Sequence, residues 1–495
     1  MLGICGKFSA YIFYMKKGLY IFLIIVLFLP VINSCAKKSY SDLSYDITAA
    51  YDSETNSVTA TEKVTFVNKT DVSYKELRFN LYPAAYRKDS AFPPVSNEYK
   101  RLYFYDGESY GGITISSVKD KEKALSFYLT GKDENVLAVK LNDELYYGDK
   151  ITIEISFVVT IPKAVHRLGK NAVCVNLGNF YPSLCVKEKA GDFECEYYNI
   201  GDPFYSYSAD YTVRFSCPDD YVCAFSGKTV SKTHKGKIDS YVVRINGIRD
   251  FAIVMSEKYK VKTEKVKDVE IFYYYINDEN IDDKLYLIKR GLEFYGEVFG
   301  KYPYATYTVA ETSLINGGME YGAFAMTNCN DKDYKDVILH ELAHQWWYGV
   351  VGNNQLTAGY IDEGLAEYST ILFKEFNEGR ENRQNAVKIY EESYKTFCSV
   401  YDALKLGKDT SMNRHLSKYK TEYEYYELNY VKPVIMFDMA RESVGDKAFF
   451  KSLKTLYTDN KFKICDFDSL CGAFGKVGLD MSGFFESFVS GKAVI

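Results

Sequence analysis

The run His340-Glu341-Leu342-Ala343-His344 constrains this chain more than any other stretch. Residues four apart on an α-helix lie ~6 Å apart along the axis and only ~40° apart around it, so both imidazoles leave one face. Two neutral ring nitrogens on that face can reach one Zn²⁺ at ~2.0–2.1 Å. Glu341 projects beside them, placed to take a proton from an attacking water. A helix could carry two histidines by chance, but there are five histidines in 495 residues. A chance His-Glu-x-x-His then has a prior on the order of a few in a thousand. Metal binding is the reading that follows.

The flanks predict a buried helix around the motif. Asp331, Asp333 and Asp336 suit its N-terminal turn. Val337, Ile338, Leu342, Trp346 and Val350 recur at three- and four-residue spacings, and Gly349 with Gly352-Asn353-Asn354 supplies the stop. A catalytic zinc needs a third protein ligand and keeps its fourth position open. Glu363, nineteen positions after His344, falls on the expected first turn of a second helix running through Leu372 and Phe376. Alone it reads as a solvated helix acid; beside the motif it becomes the third ligand. Glu367, one turn later, shares its face. It could accept the outer N–H of a ligand histidine and so fix tautomer and ring orientation. A simple surface acid is the other reading.

His-Glu-x-x-His, eighteen intervening residues and a Glu inside Asp362-Glu363-Gly364-Leu365-Ala366-Glu367-Tyr368 together resemble the gluzincin zinc aminopeptidases, the membrane alanyl-aminopeptidase-like family. Gly317-Gly318-Met319-Glu320-Tyr321 resembles that family's Gly-x-Met-Glu exopeptidase motif. The resemblance implies that Glu320 binds the free α-amine of the substrate. It also implies that the stretch Gly317, Gly318, Met319 runs beside the substrate backbone, the glycines allowing close approach. Ala323-Phe324-Ala325-Met326 would continue the edge strand for β-augmentation. Without the zinc motif, the same stretch reads as a Gly-Gly hairpin with an exposed glutamate. Tyr430-Val431-Lys432-Pro433 resembles the family's Tyr-x-Lys-Gly segment, which implies that Tyr430 stabilises the oxyanion. Pro433 stands where glycine is commoner, and 47 tyrosines make any single one a weak signal. Family members often add a Gln or Glu from the N-terminal domain to the amine site, and the Asn176–Pro182 region is the candidate neighbourhood here. The implied fold is α+β, a β-rich N-terminal domain followed by a thermolysin-like, mainly helical zinc catalytic domain.

The remaining sequence fits that division. Lys16-Lys17 and the apolar run Gly18 to Leu29 read as a secretory signal, too short for a spanning helix of ~20 residues. Ile32-Asn33-Ser34-Cys35 resembles a bacterial lipobox. It implies a signal peptide at 1–34, lipid attachment at Cys35, a tether at 35–44 and an extracytoplasmic, membrane-anchored lipoprotein; an uncleaved signal anchor is the alternative. Residues 45–255 read as a β-rich domain, with period-two alternation at Val58 to Phe66 and Ile151 to Phe157. Helical periodicity takes over from about Asp282, with strands at Thr306–Glu311 and near Glu320. The catalytic domain is placed at 256–440, and 441–495 as helices that complete it. A net charge of −5 without basic clusters argues against nucleic acid as a partner. Of 11 cysteines, Cys217 with Cys223 and Cys465 with Cys471 are close enough in sequence to pair, although buried free thiols suit most of them better. The expectation is a zinc aminopeptidase acting on peptides, with a zinc endopeptidase or a non-catalytic binding module on a peptidase scaffold as alternatives.

Overall fold

Alternating apolar and polar side chains organise the first half of the protein. In the computed structural model, which describes residues 41–495 apart from 96–98, 189–192, 194–196, 316, 329–332 and 494, strand Leu43–Asp52 buries every second residue from Leu43 to Tyr51. Its neighbours Ser57–Val67 and Ala209–Pro218 do the same. Register brings the inward faces together: Tyr45 lies opposite Val64 on one side and Tyr211 on the other. Because the side-chain period is two, any one-residue slip would expose this whole set. The signal segment, Cys35 and Asp331 lie outside the described residues.

These strands belong to an eight-stranded sheet in the order 228–235, 238–248, 209–218, 43–52, 57–67, 150–160, 112–120, 123–124. Two four-stranded sheets complete the β-rich region. The core between them is aromatic: Tyr45 stacks on Tyr211 at 4.9 Å, and the hydroxyls of Tyr181 and Tyr211 are 2.8 Å apart. Glu62 breaks the pattern by standing at an inward position with both oxygens buried and without a hydrogen-bond partner. Burial pushes its carboxyl well above the usual range, so the core holds it neutral.

A fourth, five-stranded sheet carries the site. Its order is 260–266, 269–275, 306–312, 324–328, 318–321. Strands Val269–Tyr275 and Thr306–Thr312 are parallel, and such a pair needs a crossover, supplied here by helix Ile281–Val298. Gly318–Tyr321 is the edge strand. Beyond it the chain is helical: Tyr334–Ala343, Gln355–Glu378, Arg380–Ala403, Lys432–Val444, Asp446–Asp459, Phe467–Gly475 and Ser482–Val489. The fold is therefore α+β, a β-rich N-terminal region followed by a mainly helical catalytic region.

Arg249 ties the two regions. Its buried guanidinium donates to the carbonyls of Tyr348 (2.6 Å), Ser206 (2.7 Å) and Lys463. Next to it, Asp250 accepts from the Gly322 N–H at 2.9 Å and from the Tyr348 hydroxyl, and burial raises its carboxyl to about 6.

All seven described cysteines are free. Cys217 and Cys223 come within 3.5 Å through sulfur without bonding, and Cys465 and Cys471 are unpaired, so neither pair suggested by sequence spacing is a disulfide here. No helix among the described residues is long and apolar enough to cross a membrane.

Candidate active site

The motif helix is shorter than its periodicity predicts. It runs Tyr334–Ala343 with His344 as its C-cap, and the chain then turns instead of continuing to Val350. Tertiary bonds impose the stop. Gln345 accepts from the Ala323 N–H (2.8 Å) and donates to the Tyr321 carbonyl (3.1 Å). The indole N–H groups of Trp346 and Trp347 reach the Gly300 carbonyl (2.8 Å) and Ser369 Oγ (3.0 Å). The turn also brings the Trp347 carbonyl back to within 3.0 Å of His344 Nδ1. In a continued helix that carbonyl would point along the axis, away from His344.

Glu363 comes from helix Gln355–Glu378, which begins two turns earlier than the sequence suggests. Asn354 caps it, accepting from the Leu356 N–H at 3.0 Å. A kink at Ala358 (φ −140°, ψ 37°) frees the Ala358 carbonyl, and Asn353 Nδ2 satisfies it at 3.0 Å. Past the kink the helix carries Glu363 and Glu367 on one face, one turn apart.

The three sequence-predicted ligands converge. His340 Nε2 and His344 Nε2 are 3.0 Å apart, and Glu363 Oε2 is 3.3 and 3.2 Å from them. Four-coordinate zinc with bonds of ~2.05 Å separates its donors by ~3.3 Å along each tetrahedral edge. The hydrogen bonding fits the same ion. His340 Nδ1 donates to Glu367 Oε2 at 2.7 Å, and His344 Nδ1 donates to the Trp347 carbonyl. Both protons therefore sit on Nδ1, and both Nε2 lone pairs face the Glu363 oxygen, which has no hydrogen-bond partner. Three electron-rich atoms at this spacing need a cation between them. Burial alone would raise the Glu363 carboxyl, but the adjoining His344 and His340 side chains hold it well below the usual range. Glu367 is fixed in turn by the Tyr390 hydroxyl.

Glu341 reaches the cleft beside the triad. Its carboxylate lies against Gly318, where a Cβ would sit 2.5 Å from Oε1. The glycine expected to admit substrate backbone thus first makes room for this glutamate. Burial pushes the Glu341 carboxyl up to about 7, with the two histidines opposing. Oε2 makes no hydrogen bond.

Glu320 lies on the edge strand, buried rather than exposed as in the simple hairpin reading. A carboxylate oxygen of Glu320 lies within 4.8 Å of a His344 ring nitrogen. Burial pushes its carboxyl well above the usual range, His344 lowers it, and Asp202, Glu363 and Glu341 raise it further. Gly317, at φ +47°, turns the chain into the strand, and Met319 is buried next to Glu320. Ala323–Met326 does not extend this edge. A turn with Ala323 at φ +54° sends Phe324–Asn328 inward, where it pairs parallel with Thr306–Thr312.

Tyr430 lies in a π-helical turn, Glu427–Val431, just ahead of helix Lys432–Val444. Such turns add a residue and re-aim side chains, and they cluster at functional sites. Pro433 occupies the first turn of the following helix, where a missing N–H costs nothing. It packs on Gly364, where a Cβ would come within 2.3 Å of the Pro433 Cβ. That close approach brings Tyr430 over the metal helix, its ring 5.9 Å from that of His340 and inclined by 14°. Burial and the Glu363 carboxylate push the phenol well above its usual range, keeping it a proton donor. Lys432 is buried and donates to the Thr410 and Phe488 carbonyls at 2.7 and 2.6 Å, joining the last helix to this turn.

The three ligands, Glu341, Glu367, Tyr430 and the stretch Gly317 to Glu320 line one cleft of about 540 Å³. Sequence reasoning missed several of its other walls. His166, Arg167 and Asp202 enter from the β-rich region, Arg167 and Asp202 as an ion pair at 2.5 Å. Tyr425 contributes a buried hydroxyl without a partner. Asn176–Pro182 lies behind this wall: Asn176 donates to the His166 carbonyl at 2.9 Å, and no residue of the segment lines the cleft. Only tertiary proximity marks these residues, which carry no motif of their own.

The fold and the converging donors define a zinc metallopeptidase. Residues 285–488, the greater part of the catalytic region, match the model of the peptidase family M1 domain. Among solved structures, the chain is similar to an M1 zinc metallopeptidase from Deinococcus radiodurans (TM-score 0.64, 15% identity, 92% of this chain and 96% of that one). A mutant of the same description bound to a Tyr-Ser-Ala substrate gives equal values. A two-domain M1 zinc metallopeptidase mutant bound to L-arginine follows at TM-score 0.63 and 14% identity, covering 92% and 95% of the two chains. At these identities the likeness is one of fold. No curated protein matches the chain by sequence.

Proposed function

We propose that this peptidase is an aminopeptidase that removes N-terminal residues from peptides outside the cytoplasm. The observation that carries the reading is Glu320. It is a buried carboxylate on an edge strand, lining the same cleft as the triad, and among the described residues its side-chain hydrogen-bond partner is the neutral amide of Gln355, not a lysine or arginine. A substrate α-ammonium is the cation that suits it. His340, His344 and Glu363 would hold the zinc, whose chemistry there is that of a Lewis acid polarising the scissile carbonyl and activating water. Glu341 takes the proton of the attacking water and returns it to the leaving amine. The Tyr430 phenol donates to the developing oxyanion. Glu367 holds the His340 ring and tautomer. The open edge of Gly318–Tyr321 offers its backbone to the substrate as an added strand, with Gly317, Gly318 and Met319 along it.

A free ammonium on a buried carboxylate gains a charge-assisted hydrogen bond worth ~1.5–3 kcal/mol. Glu320→Ala is therefore expected to lower kcat/KM for free peptides by about 10–100-fold, while turnover of Nα-acetylated peptides hardly changes. Equal losses on both substrates would remove Glu320 from amine recognition.

Anchoring through a lipid on Cys35 completes the proposal, motivated by Ile32-Asn33-Ser34-Cys35 behind an apolar signal. Mass spectrometry of the mature protein is expected to find an N-terminal, diacylated Cys35. An unmodified Cys35 behind an intact signal would indicate an anchor helix instead.

A further inference from the structure

We propose that Gln355 is a positioning residue for Glu320, holding the amine-binding carboxylate in place without neutralising it. The side chain is buried at the start of the kinked helix, and it is not among the residues lining the cleft. Its amide nitrogen forks between two acids, lying 3.2 Å from Glu320 Oε1 and 2.6 Å from Asp362 Oδ2. Asp362 is also bound by Asn353 Nδ2 at 2.6 Å and immediately precedes Glu363. One amide thus links the edge strand that bears the amine site to the helix that bears the third ligand.

The choice of an amide has a physical reason. Glu320 is buried beside three other acids, Glu341, Glu363 and Asp202, and needs a donor to hold one orientation. A lysine or arginine at position 355 would supply donors, but it would also cancel the charge that a substrate ammonium must meet. The two N–H groups of glutamine serve both carboxylates at no net charge. The unsatisfied, buried Oε1 of Gln355 agrees with this. Flipping the amide to satisfy that oxygen elsewhere would aim it at two carboxylates, so the acids dictate which way the amide points.

The inference rests on the aminopeptidase reading, and its test separates the two. Zinc content, melting temperature, kcat and KM are measured for wild type, Gln355→Met, Glu320→Ala and the double variant, on a free peptide and its acetylated twin. Gln355→Met keeps the volume and removes the donor. It is expected to retain zinc, raise KM for the free peptide about tenfold with a smaller change in kcat, and lower the free-to-acetylated preference by a similar factor. The double variant is expected to be no worse than Glu320→Ala alone, since both changes remove one interaction. An unchanged preference in a folded, zinc-loaded Gln355→Met protein overturns the inference, as do additive losses in the double variant. Should the methionine variant not fold, Gln355→Glu, which keeps the size and replaces the donor, must show the same fall in preference. Loss of the fold in both variants would make the role structural and overturn the proposal as well. A wild type indifferent to acetylation would instead defeat the aminopeptidase reading itself.

Discussion

Glu341→Gln is expected to lower kcat/KM by about 10²–10⁴-fold while leaving the zinc content of the protein unchanged. Glu341 is not among the three converging donor atoms, so its replacement leaves the metal ligands intact. The amide fits the same space against Gly318, and because Glu341 Oε2 makes no hydrogen bond, no partner is stranded by the change. What is lost is the basic oxygen. Burial raises the Glu341 carboxyl to about 7, which suits a group that must both accept and return a proton near neutrality. His344→Ala makes the contrast: it removes a ligand, and both metal and turnover should go. Metal analysis and kinetics on the two purified variants decide the matter. A metal-free Glu341→Gln protein, or one with near wild-type turnover, contradicts the assignment.

Arg249→Met is expected to destabilise the protein by about 3–5 kcal/mol. The guanidinium serves three carbonyls, Ser206 in the β-rich region and Tyr348 and Lys463 in the catalytic region. Methionine fills much of the volume but withdraws the donors: the Lys463 carbonyl keeps the Gly352 N–H, whereas the carbonyl of buried Tyr348 loses its partner, a loss worth about 1–3 kcal/mol on top of the buried guanidinium contacts with Ser206 and Lys463. The Tyr348 carbonyl belongs to the turn that ends the motif helix, so loosening it should also weaken zinc retention. Urea midpoints of wild type and variant measure the effect. A change below about 1 kcal/mol would show that the two regions do not depend on this tie.

The parts of the molecule legible in the sequence are those fixed by local periodicity. The four-residue spacing of His340 and His344 dictates a shared face whatever surrounds it, and the converging nitrogens follow from that. Period-two burial in Leu43–Asp52 and Ser57–Val67 is equally local, and it places even Glu62 in the core, where composition would not put an acid. What stayed hidden depends on tertiary partners. The end of the motif helix is imposed by Gln345, Trp346 and Trp347 bonding to other elements, although their apolar spacing suggests two more turns. The inward path of Ala323–Met326 depends on the turn at Ala323. Burial of Glu320 depends on packing that no hairpin signature contains. Arg167, Asp202 and Gln355 are ordinary polar residues in sequence, brought to or behind the cleft by strands and helices far from them in the chain. Cys217 and Cys223 are near in sequence and near in space, yet proximity alone does not make a bond.

The central claim is zinc-dependent trimming from a free N-terminus, and one comparison tests it most directly. Wild-type protein is given a peptide and its Nα-acetylated twin, first as purified, then after chelation, then after zinc is restored. The expected result is release of the first residue from the free peptide at least about tenfold faster than any cleavage of the acetylated one, abolished by chelation and recovered with zinc. Equal cleavage of both peptides would contradict the account and point to a zinc endopeptidase; release that survives chelation would contradict it at the metal.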